Sequence, residues 1–224
     1  MRADRRRVRA IHNRLMRFYG PLRPPRRTEP LEELISTVLS QHTSDANAER
    51  AYRSLRTAYP SWDAVVRASS AAVADVIRSG GLANTKASRI QAILREIRIR
   101  EGGFDLAFLR RRSDPEVREY LTSLPGVGPK TAAVVLAFSL GRAVIPVDTH
   151  VHRVSRRLGL VPPKVSAERA HALLEELTRE EIRVGLHVGL IRLGREICRA
   201  GRPRCEECPL ASLCPTAPSL LSQS

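Results

Sequence analysis

Apolar residues return at intervals of three and four along almost the whole 224-residue chain, and the alternation that a half-buried strand needs is nearly absent. Leu31, Leu34, Ile35, Val38 and Leu39 show the helical spacing plainly. Capping side chains stand ahead of several such stretches. Ser70 precedes AAVADVI, Asn84 precedes TKASRIQAILREIRI, and Ser166 precedes AERAHALLEEL. Ser113-Asp-Pro-Glu116 forms a capping box, with proline in the first turn, where its missing N–H has no partner to lose. One more helix is expected from about Arg179 to Ile197. Ala143 to Val147 could pass for a strand, but it is short and interrupted by Pro146. The pattern predicts an all-α chain of about ten short helices. Glycine and proline mark the joints at residues 20–30, Gly80-Gly81, Gly102-Gly103, 125–129 and 161–164. The tail after Cys214 is expected to fray.

Lys and Arg number 38 against 23 Asp and Glu, a formal charge of +15 that predicts a polyanionic partner, nucleic acid first. With 42% hydrophobic residues the chain can bury a real core, which argues against disorder. No uncharged apolar run reaches the roughly 18 residues of a membrane span. The basic N-terminus lacks the apolar stretch of a secretory signal, so a cytoplasmic, nucleoid-associated prokaryotic protein is expected. Only Lys86, Lys130 and Lys164 among the 38 basic residues are lysines. In an arginine-rich chain a lysine draws attention, because an amine can lose its proton and act as a nucleophile while a guanidinium cannot.

Lys130 stands in Leu124-Pro-Gly-Val-Gly-Pro-Lys-Thr-Ala-Ala, between two expected helices. Gly126 and Gly128 can take positive φ, turning the chain sharply and presenting backbone N–H groups at a helix N-terminus, an anion-binding arrangement. A tight helix–helix connection without a ligand is the plainer alternative. Val127 and Leu124 are expected to pack inward. Lys130 falls in the first helical turn, where the macrodipole and partial burial both disfavour the ammonium. Eighteen residues on, Val147-Asp148-Thr149-His150 begins another helix, with Asp148 at the N-cap. All four cysteines fall in one short loop as Cys198-x6-Cys205-x2-Cys208-x5-Cys214. That implies one bound metal centre; spacing alone admits zinc or an iron–sulfur cluster equally, and disulfides are disfavoured because nothing points to secretion.

The hairpin resembles the helix-hairpin-helix of the endonuclease III family of DNA glycosylases, whose pattern L-P-G-V-G-x-K-T-A includes the lysine. The V-D-T-H stretch and the cysteine spacing agree with the same family, and the likeness covers about residue 30 to Cys214. It implies an all-α fold of two domains with a DNA cleft between them. Residues 28–142 would form a six-helix barrel, and residues 1–27 with 143–224 a cluster domain holding one [4Fe–4S] cluster on Cys198, Cys205, Cys208 and Cys214. By the same resemblance Lys130 is the catalytic amine, and Asp148 supports positive charge at the deoxyribose and proton transfers. The protein would be a monomer acting on damaged duplex DNA. It would be a bifunctional glycosylase and abasic-site lyase, excising oxidised pyrimidines such as thymine glycol and cutting 3′ to the site by β-elimination. A monofunctional mismatch glycosylase, a pyrimidine-dimer glycosylase and a non-catalytic damaged-DNA-binding protein are the alternatives.

Further candidate DNA contacts are Gly126 and Gly128 at the turn, His150, and Arg199, Arg202 and Arg204, basic residues on a loop fixed at both ends by cysteines. His152 reads as an ordinary packed or surface histidine. Two segments resemble wedge loops that fill the hole left by an extruded nucleotide. In Leu39-Ser-Gln-His-Thr-Ser-Asp45 the candidates are Gln41 and His42; in Gly80-Gly-Leu-Ala-Asn-Thr-Lys-Ala the candidate is Leu82. His42 stands where the family often has glutamine, and Pro129 where many relatives carry a basic residue.

Overall fold

The computed structural model describes residues 4–23 and 27–221. Within them the chain is all-helical: α1 (Arg5–Tyr19), α2 (Pro30–Ser40), α3 (Asp45–Ala58), α4 (Trp62–Arg67), α5 (Ser70–Val76), α6 (Ala83–Glu101), α7 (Asp114–Thr122), α8 (Pro129–Val134), α9 (Thr149–Arg157), α10 (Ala167–Leu177), α11 (Glu180–Glu196) and α12 (Ala217–Leu221). The last of these corrects the expected fraying after Cys214 as far as Leu221, since Ala217 is buried; residues 222–224 of that tail lie outside the described residues. No helix among the described residues is long and apolar enough to cross a membrane.

The capping signals decide most helix starts. Ser113 and Glu116 close the expected box, Glu116 Oε2 accepting from the Ser113 N–H at 2.8 Å, and Ser166 Oγ accepts from Arg169 N. Two starts differ from expectation. Ser69, not Ser70, caps α5 through the Ala72 N–H, because its extended backbone leaves the hydroxyl facing the first turn. Asn84 lies inside α6, whose N-cap is Leu82 in a left-handed conformation without a side-chain cap.

The chain divides into two compact units, Arg27–Leu140 and the described parts of Met1–Arg26 with Gly141–Ser224. The first carries α2 to α8 around a core that includes Leu34, Ile35, Val38, Leu55, Ile90, Ile93, Leu94, Val117 and Leu121. Burying each such side chain contributes about 1.5–3 kcal/mol. Helix α6 is also tied by polar groups: Gln91, 1% exposed, donates to Val65 O and Ala68 O, satisfying carbonyls at the end of α4. Beyond α8 the helix widens into a π-turn over Val135–Ser139, where Ser139 Oγ donates to Thr28 O ahead of α2.

In the second unit α1, α9, α10 and α11 share a core of Val8, Ile11, Leu15, Val151, Val154, Leu174, Leu190 and Leu193. Gly194 lets α11 approach α9, since a Cβ there would stand 2.9 Å from His150 Cβ. The apolar segment 143–147 is not a strand. Its carbonyls are taken by side chains: Arg183 donates to Ala143 O at 2.7 Å, while ring nitrogens of His171 and His187 bond Ile145 O and Pro146 O. That extended segment leads directly into Asp148.

Candidate functional site

The hairpin between α7 and α8 is built on Leu124 and Val127, both buried as expected, and closed by a bond from Val127 N to Leu124 O. Gly126 takes φ +71°, the left-handed conformation the turn requires. Gly128 corrects the expectation of a second positive φ: it is extended at φ −101° and serves as the N-cap of α8. A Cβ at Gly128 would meet open space, whereas one at Gly126 would lie 2.5 Å from Arg89 Nε. Arg89 also donates to Gln41 Oε1 at 2.8 Å, so one guanidinium joins the hairpin to the loop after α2.

Pro129 opens α8 and Lys130 is its second residue, half-buried. Glu33 of α2 lies within the electrostatic reach of Lys130. Burial raises the Glu33 carboxyl above the usual range, against the bond from Thr28 Oγ1, the Lys130 charge and Thr37. A carboxyl poised near a first-turn amine can hold or return a proton.

His42 and Leu82 are, among the described residues, the two non-glycine residues with positive φ, at 53° and 48°. Such a conformation costs an L-residue about 1–2 kcal/mol. Leu82 is moreover 59% exposed, so it violates the preference for burial as well as that for backbone geometry. Strain and an exposed apolar side chain therefore coincide at this one position. Gln41 is half-buried and His42 exposed. The neighbouring Lys86 is 2% exposed and donates from Nζ to Leu39 O and Gly80 O, each at 2.7 Å. The remaining lysine, Lys164, is exposed.

Asp148 caps α9 as expected, one carboxylate oxygen accepting from Val151 N at 2.7 Å. Arg153 of the same helix lies within the electrostatic reach of Asp148. From α9, Arg153 donates to Cys198 O and Gly194 O and meets His150 Nδ1 at 3.1 Å, so one nitrogen of His150 is already engaged. His152 is a packed residue, its ring bonded to Val165 O. One turn further, Arg157 donates to Arg199 O at 2.6 Å, Ala200 O at 2.9 Å and Cys198 Sγ at 3.3 Å. Helix α9 therefore carries Asp148 at one end and the brace of the cysteine loop at the other.

The four cysteines line a single cavity with apolar walls, among them Val154, Leu158, Leu193 and Ile197. Four thiols around one apolar cavity suit an iron–sulfur cluster held by four thiolates. Burial, and then the neighbouring thiols, push the Cys208 thiol up to about 11 against a backbone bond from Leu210. On the loop, Arg199 and Arg202 are exposed, while Arg204 donates to Glu196 O and pairs with Glu207.

Residues 35–180 match the family model for the HhH-GPD superfamily base excision DNA repair protein, and residues 198–214 that for the iron–sulfur binding domain of endonuclease III. Endonuclease III of Thermotoga maritima is 37% identical over 84% of this chain and 83% of its own length. The chain belongs to the endonuclease III family. A putative DNA glycosylase of Arabidopsis thaliana is 35% identical over 80% of this chain, which spans 64% of that plant protein. The solved non-covalent endonuclease III–DNA complex matches with a TM-score of 0.84 at 30% identity, covering 97% of this chain and 98% of that one. A trapped endonuclease III–DNA covalent intermediate matches at 0.83 and 29%, covering 97% and 98%.

This endonuclease III relative is thus a DNA glycosylase of base excision repair, all-α, with DNA as its partner and one [4Fe–4S] cluster. Reading the sequence missed Glu33, Arg89 and the pair Arg153–Arg157. The four-residue separation of the last two along α9 was the available signal, for it puts both guanidinia on one helix face. Glu33 carried no such signal, since it stands beside Glu32 in the first turn of α2, where acidic residues are common.

Proposed function

We propose that this member is bifunctional, a glycosylase and abasic-site lyase that removes oxidised pyrimidines such as thymine glycol from duplex DNA. The observation that carries the reading is Lys130, a half-buried amine in the first turn after the hairpin with the Glu33 carboxyl in its field. The neutral Nζ attacks the deoxyribose C1′; the C1′–N bond breaks and the base departs, taking up a proton. Loss of the amine proton and ring opening leave an iminium between Nζ and C1′. Removal of a C2′ proton then expels the 3′-phosphate, cutting the strand 3′ to the lesion, and water releases the lysine.

Asp148 supports the cationic sugar with its carboxylate. Gly126 and Gly128 let the backbone N–H groups approach a phosphate, and Arg199 and Arg202 add backbone contacts, with His150 a further candidate and Arg204 bracing the loop. Leu82, Gln41 and His42 fill the space left by the extruded nucleotide. In this reading residues 28–142 form the barrel domain and residues 1–27 with 143–224 the cluster domain. The cluster, held by Cys198, Cys205, Cys208 and Cys214, supplies a rigid fold for its loop, because glycosidic cleavage needs no electron. The test is product analysis on thymine glycol duplexes. A nicked strand with a β-elimination end, lost in Lys130→Ala, is expected; intact abasic strand as the product of the wild type would make the protein monofunctional.

A further inference from the structure

Lys86 is an ionisable amine with 2% exposure and no place in the chemistry above. Burying an ammonium is costly unless its donors are met, and burial here lowers the Lys86 pKa. Its partners are two backbone carbonyls, Leu39 O at the end of α2 and Gly80 O just before α6, each 2.7 Å away. These carbonyls belong to segments 41 residues apart in sequence, and each lies within three residues of a strained side chain: Leu39 ahead of His42, Gly80 ahead of Leu82. Two left-handed non-glycine residues persist only where the surroundings hold them, and the Lys86 amine bonds the backbones of both segments at once. Even a neutral amine retains two N–H donors for the two carbonyls, so the brace does not depend on the charge being kept.

We propose that Lys86 is a positioning residue for base extrusion: its buried Nζ fixes the His42 loop and the Leu82 loop in one mutual register, so that both side chains enter the duplex together. This rests on the wedge reading of those side chains. It makes a distinction that a general packing role does not. Loss of register should impair only the step in which a nucleotide leaves a stacked duplex, and spare the lysine chemistry on a sugar that is already accessible. A misplacement of about 1 Å is sufficient for a loss of roughly a hundredfold.

The experiment uses the cluster-loaded full chain and one abasic strand, presented either single-stranded or paired with its complement. Strand cleavage is measured for the wild type, Lys86→Met and Leu82→Ala, after helix content and cluster absorbance confirm folding. Lys86→Met is expected to lower the duplex rate between tenfold and a hundredfold while its single-strand rate stays within about twofold of wild type. Leu82→Ala should show the same split. Equal losses on both substrates, or no loss on either, in Lys86→Met would overturn the positioning role. A split in Leu82→Ala without one in Lys86→Met rejects the Lys86 inference alone, and the absence of a split in Leu82→Ala rejects the wedge reading beneath it. Should Lys86→Met not fold, Lys86→Gln keeps two donors on a shorter stem and must give the same split in weaker form.

Discussion

Replacing Arg157 by alanine isolates the brace between α9 and the cluster loop. The guanidinium makes two short bonds, to Arg199 O at 2.6 Å and Ala200 O at 2.9 Å, and a longer one to Cys198 Sγ at 3.3 Å. A hydrogen bond from a charged donor contributes roughly 1.5–3 kcal/mol, and the half-buried position of Arg157 reduces each to about 1 kcal/mol. With the contact of its stem lost as well, the expected cost is about 2–3 kcal/mol, a fall in Tm of about 5–10 °C for a chain of this size. Parallel melts of the cluster-loaded protein, followed by far-UV circular dichroism and by the visible absorbance of the cluster, read the effect. The cluster signal should fall first, since the bonds lost hold the loop between Cys198 and Cys205. Arg157→Lys restores at most one of the two carbonyl bonds and should recover less than half the loss. The exposed neighbour Arg156 is the control, with a change within about 0.5 kcal/mol on truncation. An Arg157→Ala protein that melts with the wild type, or loses helix and cluster in step with it, would refute the assignment of this brace.

Gly126→Ala faces a left-handed backbone and a Cβ 2.5 Å from Arg89, so it should destabilise by about 1–2 kcal/mol in urea titration, whereas Gly128→Ala, which points into open space, should leave stability intact and weaken DNA binding. Asp148→Asn retains a carbonyl oxygen to cap α9 and should match the wild type in Tm, yet lower kcat by roughly a hundredfold in strand cleavage. Glu33 has a raised pKa in the fold, mainly from burial, so its protonated form is favoured there and its contribution to stability declines as pH rises through that raised value. Glu33→Gln should therefore gain stability relative to wild type as pH increases above the ordinary carboxyl range; a difference that does not change with pH would contradict this.

What the sequence disclosed was local. The capping box at Ser113, the caps at Ser166 and Asp148, the hairpin with its inward Leu124 and Val127, and the cysteine spacing are each written within a few residues, so the pattern suffices to read them. The two caps misassigned, Ser70 and Asn84, are also local, but there the competition between adjacent candidates is decided by backbone conformation, which residue type alone does not fix. The bonds of Lys86 to Leu39, of Arg89 to Gln41 and of Arg157 to Arg199 bridge 47, 48 and 42 positions. Nothing in the spacing of these residues anticipates such partners, because packing of one helix on another brings them together. For the same reason Lys130 and Asp148 were legible as motifs, while the Glu33 carboxyl beside the lysine was visible only once α2 and α8 were seen in one unit.

The central claim is that Lys130 bonds covalently to the sugar. Borohydride reduction during the reaction with abasic duplex DNA, followed by digestion and peptide mass spectrometry, tests it directly. The account predicts a reduced deoxyribose adduct on the peptide containing Lys130, absent in Lys130→Ala although that protein still binds the duplex. An adduct on another lysine or on the N-terminal amine, or the same yield of adduct in Lys130→Ala, would contradict it.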